Sequence, residues 1–263
     1  MLNNVKDIDM SIVDDFFTKD NAVTGVKEDA YKNISELVDY VDAFARMTYK
    51  SVYIIDYYKK NFLYVSENPL FLCGLTAEKV KEIGYQFYID NVPKNDVDRL
   101  LKINSLGFSF SKDIPADDKK HYTISYNFSI INTISQKVQT INHQLTPLIM
   151  MPDGAIWLAL CVASVPPKSS DNAITMINNR TQERWNLDLE SNKWRKVKNV
   201  VLTEQEILVL KYSAMGYTMN EIAEMVYKSF DSVKRYRKRI LEKLGTDNIT
   251  EAINYAMTFR LMK

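Results

Sequence analysis

From residue 199 onward, apolar positions recur at spacings of three and four, and each periodic stretch opens on a residue that can cap a helix. Thr203 with Glu206 three residues later is a capping box, in which each side chain satisfies an orphan amide at the helix start. Ile207, Leu208 and Leu210 then give an inward face, and Gly216 supplies a left-handed residue able to end the helix. The grammar repeats with Thr218 and Glu221 ahead of Ile222, Ala223 and Val226. Ser229 opens a third helix reaching about Leu244, just before Gly245, with Val233, Tyr236, Ile240 and Leu244 on one face. Asn248 with Glu251 opens a fourth, carrying Ala252, Ile253 and Ala256. This series predicts a small all-helical unit.

Residues 1–198 have a different texture. Helices are predicted over residues 4–17 and 28–48. Residues 52–56 and 62–66 are β-rich runs around a Lys59-Lys60-Asn61 turn, which reads as a hairpin. Short helical pieces follow, one from Thr76 to Gly84, then a break at residues 93–96, a helix over 97–103 and a polar loop at 111–120. Along residues 122–131, Tyr122, Ile124, Tyr126, Phe128 and Ile130 fall on one face, and Thr123, Ser125, Asn127 and Ser129 on the other. That alternation predicts an antiparallel strand covered on one side. Residues 137–150 and 155–165 complete a three-strand meander, turned at Pro152-Asp153-Gly154. Past a break at Pro166-Pro167, residues 174–177, 183–189 and 193–197 read as short strands. Trp185 and Trp194 flank the last hairpin, where a hydrophobic pair stabilising the ribbon is a simpler reading than a ligand-stacking pair.

Charge changes the picture in one place. Lys234, Arg235 and Lys238 fall opposite the apolar stripe of the third helix, with Arg237 and Arg239 on its flanks. Residues 228–243 hold seven basic residues against Asp231 and Glu242, whereas residues 199–263 as a whole hold ten basic and eight acidic. The full chain, with 34 basic and 33 acidic residues, nearly cancels. The cationic density therefore belongs to one helix. Such density attracts DNA through counterion release, and a helix fits the major groove. A solvated charged face is the plain alternative; the short turn that sets this helix behind a small Ala-containing one favours DNA.

At 263 residues and 46% apolar, the chain suits two domains with their own cores. Cys73 and Cys161, far apart in apolar surroundings, fit buried thiols in a reducing cytoplasm. The acidic amino terminus lacks a signal h-region, and the longest apolar run, residues 155–165, is too short to span a bilayer. A cytoplasmic protein with no membrane partner is expected. Seven glycines give no phosphate-binding loop, two histidines give no Ser/His/Asp arrangement, and Asp14-Asp15 lacks the strand of a phospho-receiver. Catalysis is not expected, and no cofactor or metal is evident.

On the residues LTEQE at 202–206, Gly216, NEIAE at 220–224, SVK at 232–234 and the KLG followed by TEA, residues 201–257 resemble the LuxR-type helix-turn-helix family. The resemblance implies a four-helix DNA-binding domain, the helix-turn-helix at about 218–237, residues 229–244 as recognition helix, and a last helix around 250–257 that serves dimerisation. Charge and resemblance together point to Thr218, Lys228, Ser232, Lys234, Arg235, Arg237, Lys238, Arg239 and Lys243 as DNA-contacting residues. Tyr236 stands where the family usually has His, Met219 and Asn220 where Asn and Lys are common, and Ile249 where a basic residue is frequent. These departures bear on phosphate contacts and target sequence. A sigma-factor region shares the LTE start and EIA helix, but not the KLG…TEA ending.

Residues 51–165 resemble a PAS domain: two strands, a helical crossover and three long strands, with Asp56 closing the first strand, the turn before YVSENPLFLCGLTAEKV, and Pro93 with Asp96 before the next helix. This implies a sensor or interaction module whose sheet and crossover helices enclose a small apolar pocket. The reactive Cys of flavin photosensors has no counterpart at the matching place, and Cys73 reads as a core thiol. The stretch 93–103, where haem-binding members carry a His, has none. His121 and His143 fall at strand positions, where a surface or hydrogen-bonded histidine is a simpler reading than a ligand.

The expected fold is α+β: amino-terminal helices at 1–50, a PAS-like antiparallel sheet with flanking helices at 51–165, a hairpin and linker at 166–198, and an all-α four-helix domain at 199–263. The expected partners are double-stranded DNA, a second copy on DNA, a small-molecule ligand or protein at the PAS-like domain, and RNA polymerase. Three functions stay open: a ligand-responsive transcription regulator, a regulator whose PAS-like domain only binds protein, and an adaptor that titrates partners without binding DNA.

Overall fold

The computed structural model describes residues 12–166, 173–259 and 261–262. Residues 4–11 of the helix expected over 4–17 lie outside them; residues 12–15 are helical. The described residues form two compact units, one ending with Val197 and one beginning at Lys198.

In the first unit, the expected 28–48 helix is two helices, α1 (Glu28–Lys32) and α2 (Ser35–Arg46). The break follows from two anchors. Tyr31 donates its hydroxyl to Asp56 Oδ2 at 2.6 Å, and Ile34 turns into the core. Strand β1 (Ser51–Asp56) is buried at every position because both faces are covered. Tyr53 and Ile55 pack with Phe71 and Phe87, while Val52 and Ile54 pack with Val41, Ala45 and Trp157. Asp56 ends the strand as an Asx turn, Oδ1 accepting from the amides of Tyr58 (2.9 Å) and Lys59 (3.0 Å). The chain returns as β2 (Asn61–Val65).

The crossover comprises α3 (Pro69–Leu72), α4 (Ala77–Ile83), α5 (Gln86–Asn91), α6 (Lys94–Lys112) and α7 (Ala116–Lys119). Thr76 caps α4, and Gly84 ends it at φ 63, where a Cβ would stand 2.8 Å from Asn61 Oδ1. Helix α6 runs through part of the expected polar loop. Its distal residues Ile103, Leu106 and Phe110 lie in an apolar cluster with Ile124, Met176 and Leu187, which supplies the burial that a Ser- and Gly-containing stretch lacks by itself.

Strands β3 (Tyr122–Ile131), β4 (Val138–Met150), β5 (Ile156–Ser164), β6 (Ile174–Asn178), β7 (Arg184–Asp188) and β8 (Lys193–Val197) complete an antiparallel sheet of order β2-β1-β5-β4-β3-β6-β7-β8. The PAS-like succession of two strands, helices and three strands is present, and β6 hydrogen-bonds along β3 with Ile124 opposite Met176. The described part of segment 166–198 is thus an extension of the sheet, where the sequence suggested a hairpin and linker. Trp185 pairs with Lys196 and Trp194 with Leu187, so the tryptophans are not opposite one another. Each packs on Phe110, at 5.5 and 5.2 Å, and Trp194 Nε1 donates to the Leu106 carbonyl. The polar face of β3 is also partly covered. Ser125 and Asn127 are buried, and the Asn142 amide donates to Ser125 Oγ (3.1 Å) and Asn127 Oδ1 (2.9 Å), which makes that burial tolerable.

The second unit is α8 (Glu204–Ala214), α9 (Met219–Met225), α10 (Phe230–Leu244) and α11 (Ile249–Thr258). All four expected caps are formed: capping boxes at Thr203/Glu206 and Thr218/Glu221, Ser229 accepting from the Ser232 amide, and Asn248 from that of Glu251. Gly245 ends α10 at φ 64. Val209, Leu210, Ile222, Val233, Ile240 and Ala252 meet in the core; Val209 is fully buried, whereas Ile207 and Leu208, expected to lead inward, are only partly so.

Candidate nucleic-acid interface

Helix α10 has two chemically distinct sides. Val233, Ile240 and Leu244 are buried and Tyr236 is half-buried, which fixes the rotation of the helix. That rotation leaves Lys234, Arg235, Lys238 and Arg239 exposed, with Arg237 half-buried on the flank. Lys228 is exposed in the turn between α9 and α10, held by its amide donating to the Ala223 carbonyl at 2.9 Å. The tip of α10 is organised by its own cap: Ser229 Oγ lies 3.0 Å from Ser232 Oγ, which accepts from the Arg235 guanidinium at 3.3 Å. Ser232 therefore orients Arg235. Thr218 is exposed, but its hydroxyl is engaged with Glu221 in the cap of α9. Lys238 Nζ lies 3.7 Å from Glu242, a solvent-exposed pair that holds the cation weakly.

Lys243 does something else. Its ammonium bonds Glu206 Oε2 at 2.6 Å and the Val201 carbonyl at 3.1 Å, tying α10 to the start of α8. Glu206 is 1% exposed. Burial opposes its ionisation, but the hydrogen bonds from Lys243 and the Thr203 amide outweigh that and hold its carboxyl below the usual glutamate value. Lys243, expected from its charge to touch DNA, is spent on an internal ion pair. The sequence missed this because its partner lies 37 positions away.

The sheet unit has a cavity of about 60 Å³, bounded by α6 and the inner faces of β3 and β4; Tyr57, Phe108, Lys119, Tyr126 and Leu145 are among its walls. It is roomy enough for a few non-hydrogen atoms beyond a single water. Lys119 donates to the Gly154 carbonyl at 2.8 Å; burial pushes its ammonium pKa down, partly countered by Asp153. Behind Tyr126 sits His143, 2% exposed, its ring 4.9 Å from that of Tyr126 and 5.7 Å from that of Tyr53. Neither ring nitrogen has a hydrogen-bond partner among the described residues. The expectation of a surface or satisfied histidine is corrected: the strand places His143 on the covered face, and its neighbours are aromatic rings. Desolvation pushes its pKa down to about 3, so the imidazole is neutral. Cys73 and Cys161 are free and buried, and burial pushes both thiols up. Among the described residues, no helix is long and apolar enough to cross a membrane.

Residues 200–256 match the family described as bacterial regulatory proteins, luxR family. The match takes in α8, α9, α10 and most of α11. The similarity extends to the Fimbriae Z protein of Salmonella typhimurium, 36% identical over 61 residues (23% of this chain, 29% of that protein). It extends also to the oxygen regulatory protein NreC of Staphylococcus aureus, 32% identical over 63 residues (24% and 29%). The chain thus spans less than a third of the length of either relative. A phage VqmA solved in complex with DPO aligns over 89% of this chain and 92% of its own, at 18% identity and a TM-score of 0.34. Among the helices within the matched residues, α10 is the cationic one.

Proposed function

We propose that this chain is a sequence-specific DNA-binding transcriptional regulator whose sheet unit receives a signal. The observation that carries the reading is the outer face of α10: Lys234, Arg235, Lys238 and Arg239 stand exposed on one helix of a LuxR-family domain, with Lys228 beside its start. In a helix-turn-helix the second helix lies in the major groove with its amino-terminal residues at base edges, and flanking cations meet phosphates. We assign Lys234, Arg235 and Lys238 to the groove and Lys228, Arg237 and Arg239 to the backbone. Ser232 and Thr218 act through the caps they build, and Lys243 is left out of the interface.

Two copies reading a two-fold symmetric site through contacts that include α11 is the arrangement this domain favours. The cavity beside Tyr126 takes a small, largely apolar ligand, which biases the chain between two arrangements by binding one better than the other. RNA polymerase is the partner through which the output is read, and the cytoplasm is where these partners are met. The deciding experiment is selection of bound duplexes from a random pool, with and without cell extract. Recovery of a consensus supports regulation, and its dependence on extract supports sensing. Absence of any saturable, salt-sensitive binding leaves the adaptor reading in its place.

A further inference from the structure

The turn into α10 carries two exposed aromatic side chains, Tyr227 and Phe230. Tyr227 is 92% exposed and sits at φ 52, a left-handed conformation that a bulky L-residue adopts only at a cost and that Gly or Asn takes easily. The conformation is held by buried Val226 on one side and by the Lys228 amide bonding to Ala223 on the other. Phe230 is the first residue of α10 and is 41% exposed. Neither ring has an aromatic, cationic or hydrogen-bonding partner among the described residues. Phe230 is three residues before buried Val233, at the edge of the core stripe, and one turn before exposed Lys234, so it stands where the apolar and cationic sides of the helix meet.

Both rings keep apolar surface in water that a partner could cover. A ring at the tip of a cationic helix matches a surface with charged rails and an apolar feature on its floor. The DNA major groove is such a surface: phosphates line its edges, and the thymine 5-methyl is the apolar group presented within it. We infer that Phe230 is a specificity-determining residue that reads a thymine 5-methyl group, and that Tyr227 lays its ring against the adjoining sugar-phosphate backbone. The inference rests on α10 being the recognition helix and adds to it an apolar reading head that the charge pattern does not reveal.

The test uses the full chain and a duplex it selects from a random pool. Each thymine of one half-site is replaced in turn by deoxyuridine, which removes the 5-methyl alone. The wild-type chain is expected to lose about fourfold in affinity at one such position, the factor that follows from burying one methyl-sized group. Phe230→Ala binds more weakly and no longer distinguishes thymine from uracil there, while Phe230→Leu keeps part of the discrimination. Tyr227→Asn relieves the backbone, weakens all duplexes alike and keeps the discrimination. If Phe230→Ala distinguishes thymine from uracil as the wild type does, or if the variant changes self-association and not DNA specificity, the inference is overturned while the recognition helix stands. A wild-type chain that binds no duplex overturns both.

Discussion

His143 offers the sharpest energetic prediction. Its ring is 2% exposed, walled by Tyr53, Tyr126 and Phe128, and held neutral with a pKa pushed down to about 3. The unfolded chain exposes the same imidazole to water, where its value is near 6.5. Below that pH the unfolded state takes up a proton and the folded state does not. The sheet unit therefore has its full stability above about pH 6.5 and loses it progressively as pH falls towards the folded value. Between pH 8 and pH 5 the loss from this one residue is about 2 kcal/mol, set almost wholly by the unfolded value once the folded one lies well under 5. Urea unfolding followed by tryptophan fluorescence reads this unit alone, because Trp157, Trp185 and Trp194, the three tryptophans of the chain, all lie in it. Replacing His143 by Leu, similar in volume and without nitrogens to satisfy, should remove that 2 kcal/mol from the pH dependence; groups titrating in both chains cancel. Identical losses in wild type and His143→Leu would refute the reasoning.

Lys243→Met should act on the fold, since it strands a buried Glu206 carboxylate with the Thr203 amide as its remaining donor. A cost of about 2–3 kcal/mol is expected, seen as roughly 30- to 150-fold faster amide exchange in α8 and reversed in part by adding Glu206→Gln. Exchange that stays slow while DNA affinity drops would return Lys243 to the interface. Lys234→Ala, Arg235→Ala and Lys238→Ala should each weaken binding to the selected duplex by about 1–3 kcal/mol relative to a scrambled one. Lys228→Ala should weaken all duplexes alike and flatten the salt dependence by about one unit of slope.

The helical unit was legible because its determinants are local. Thr203, Thr218, Ser229 and Asn248 sit within three residues of the amides they satisfy, and the stripe Val233, Ile240, Leu244 orients α10 without reference to the rest of the chain. What the sequence concealed depends on distant partners. The covering of both faces of β1, the length of α6 and the joining of β6 to β3 are set by contacts between segments tens of residues apart. The same holds for the site. Lys243 looks like any other cation until Glu206 is placed under it, and His143 looks like a satisfied strand histidine until Tyr53 and Tyr126 close around it. Phe230 did leave a trace: a large apolar residue at the first position of a cationic helix.

The central claim is that the exposed cationic face of α10 reads DNA, and one binding titration tests it. The full chain and a variant with Lys228, Lys234, Arg235 and Lys238 all replaced by Ala are titrated on the selected duplex across a range of salt concentrations. The wild type should bind saturably, with log K falling linearly as log salt rises, while the variant binds that duplex no better than random sequence. A variant that keeps wild-type affinity and preference for the selected duplex would contradict the account.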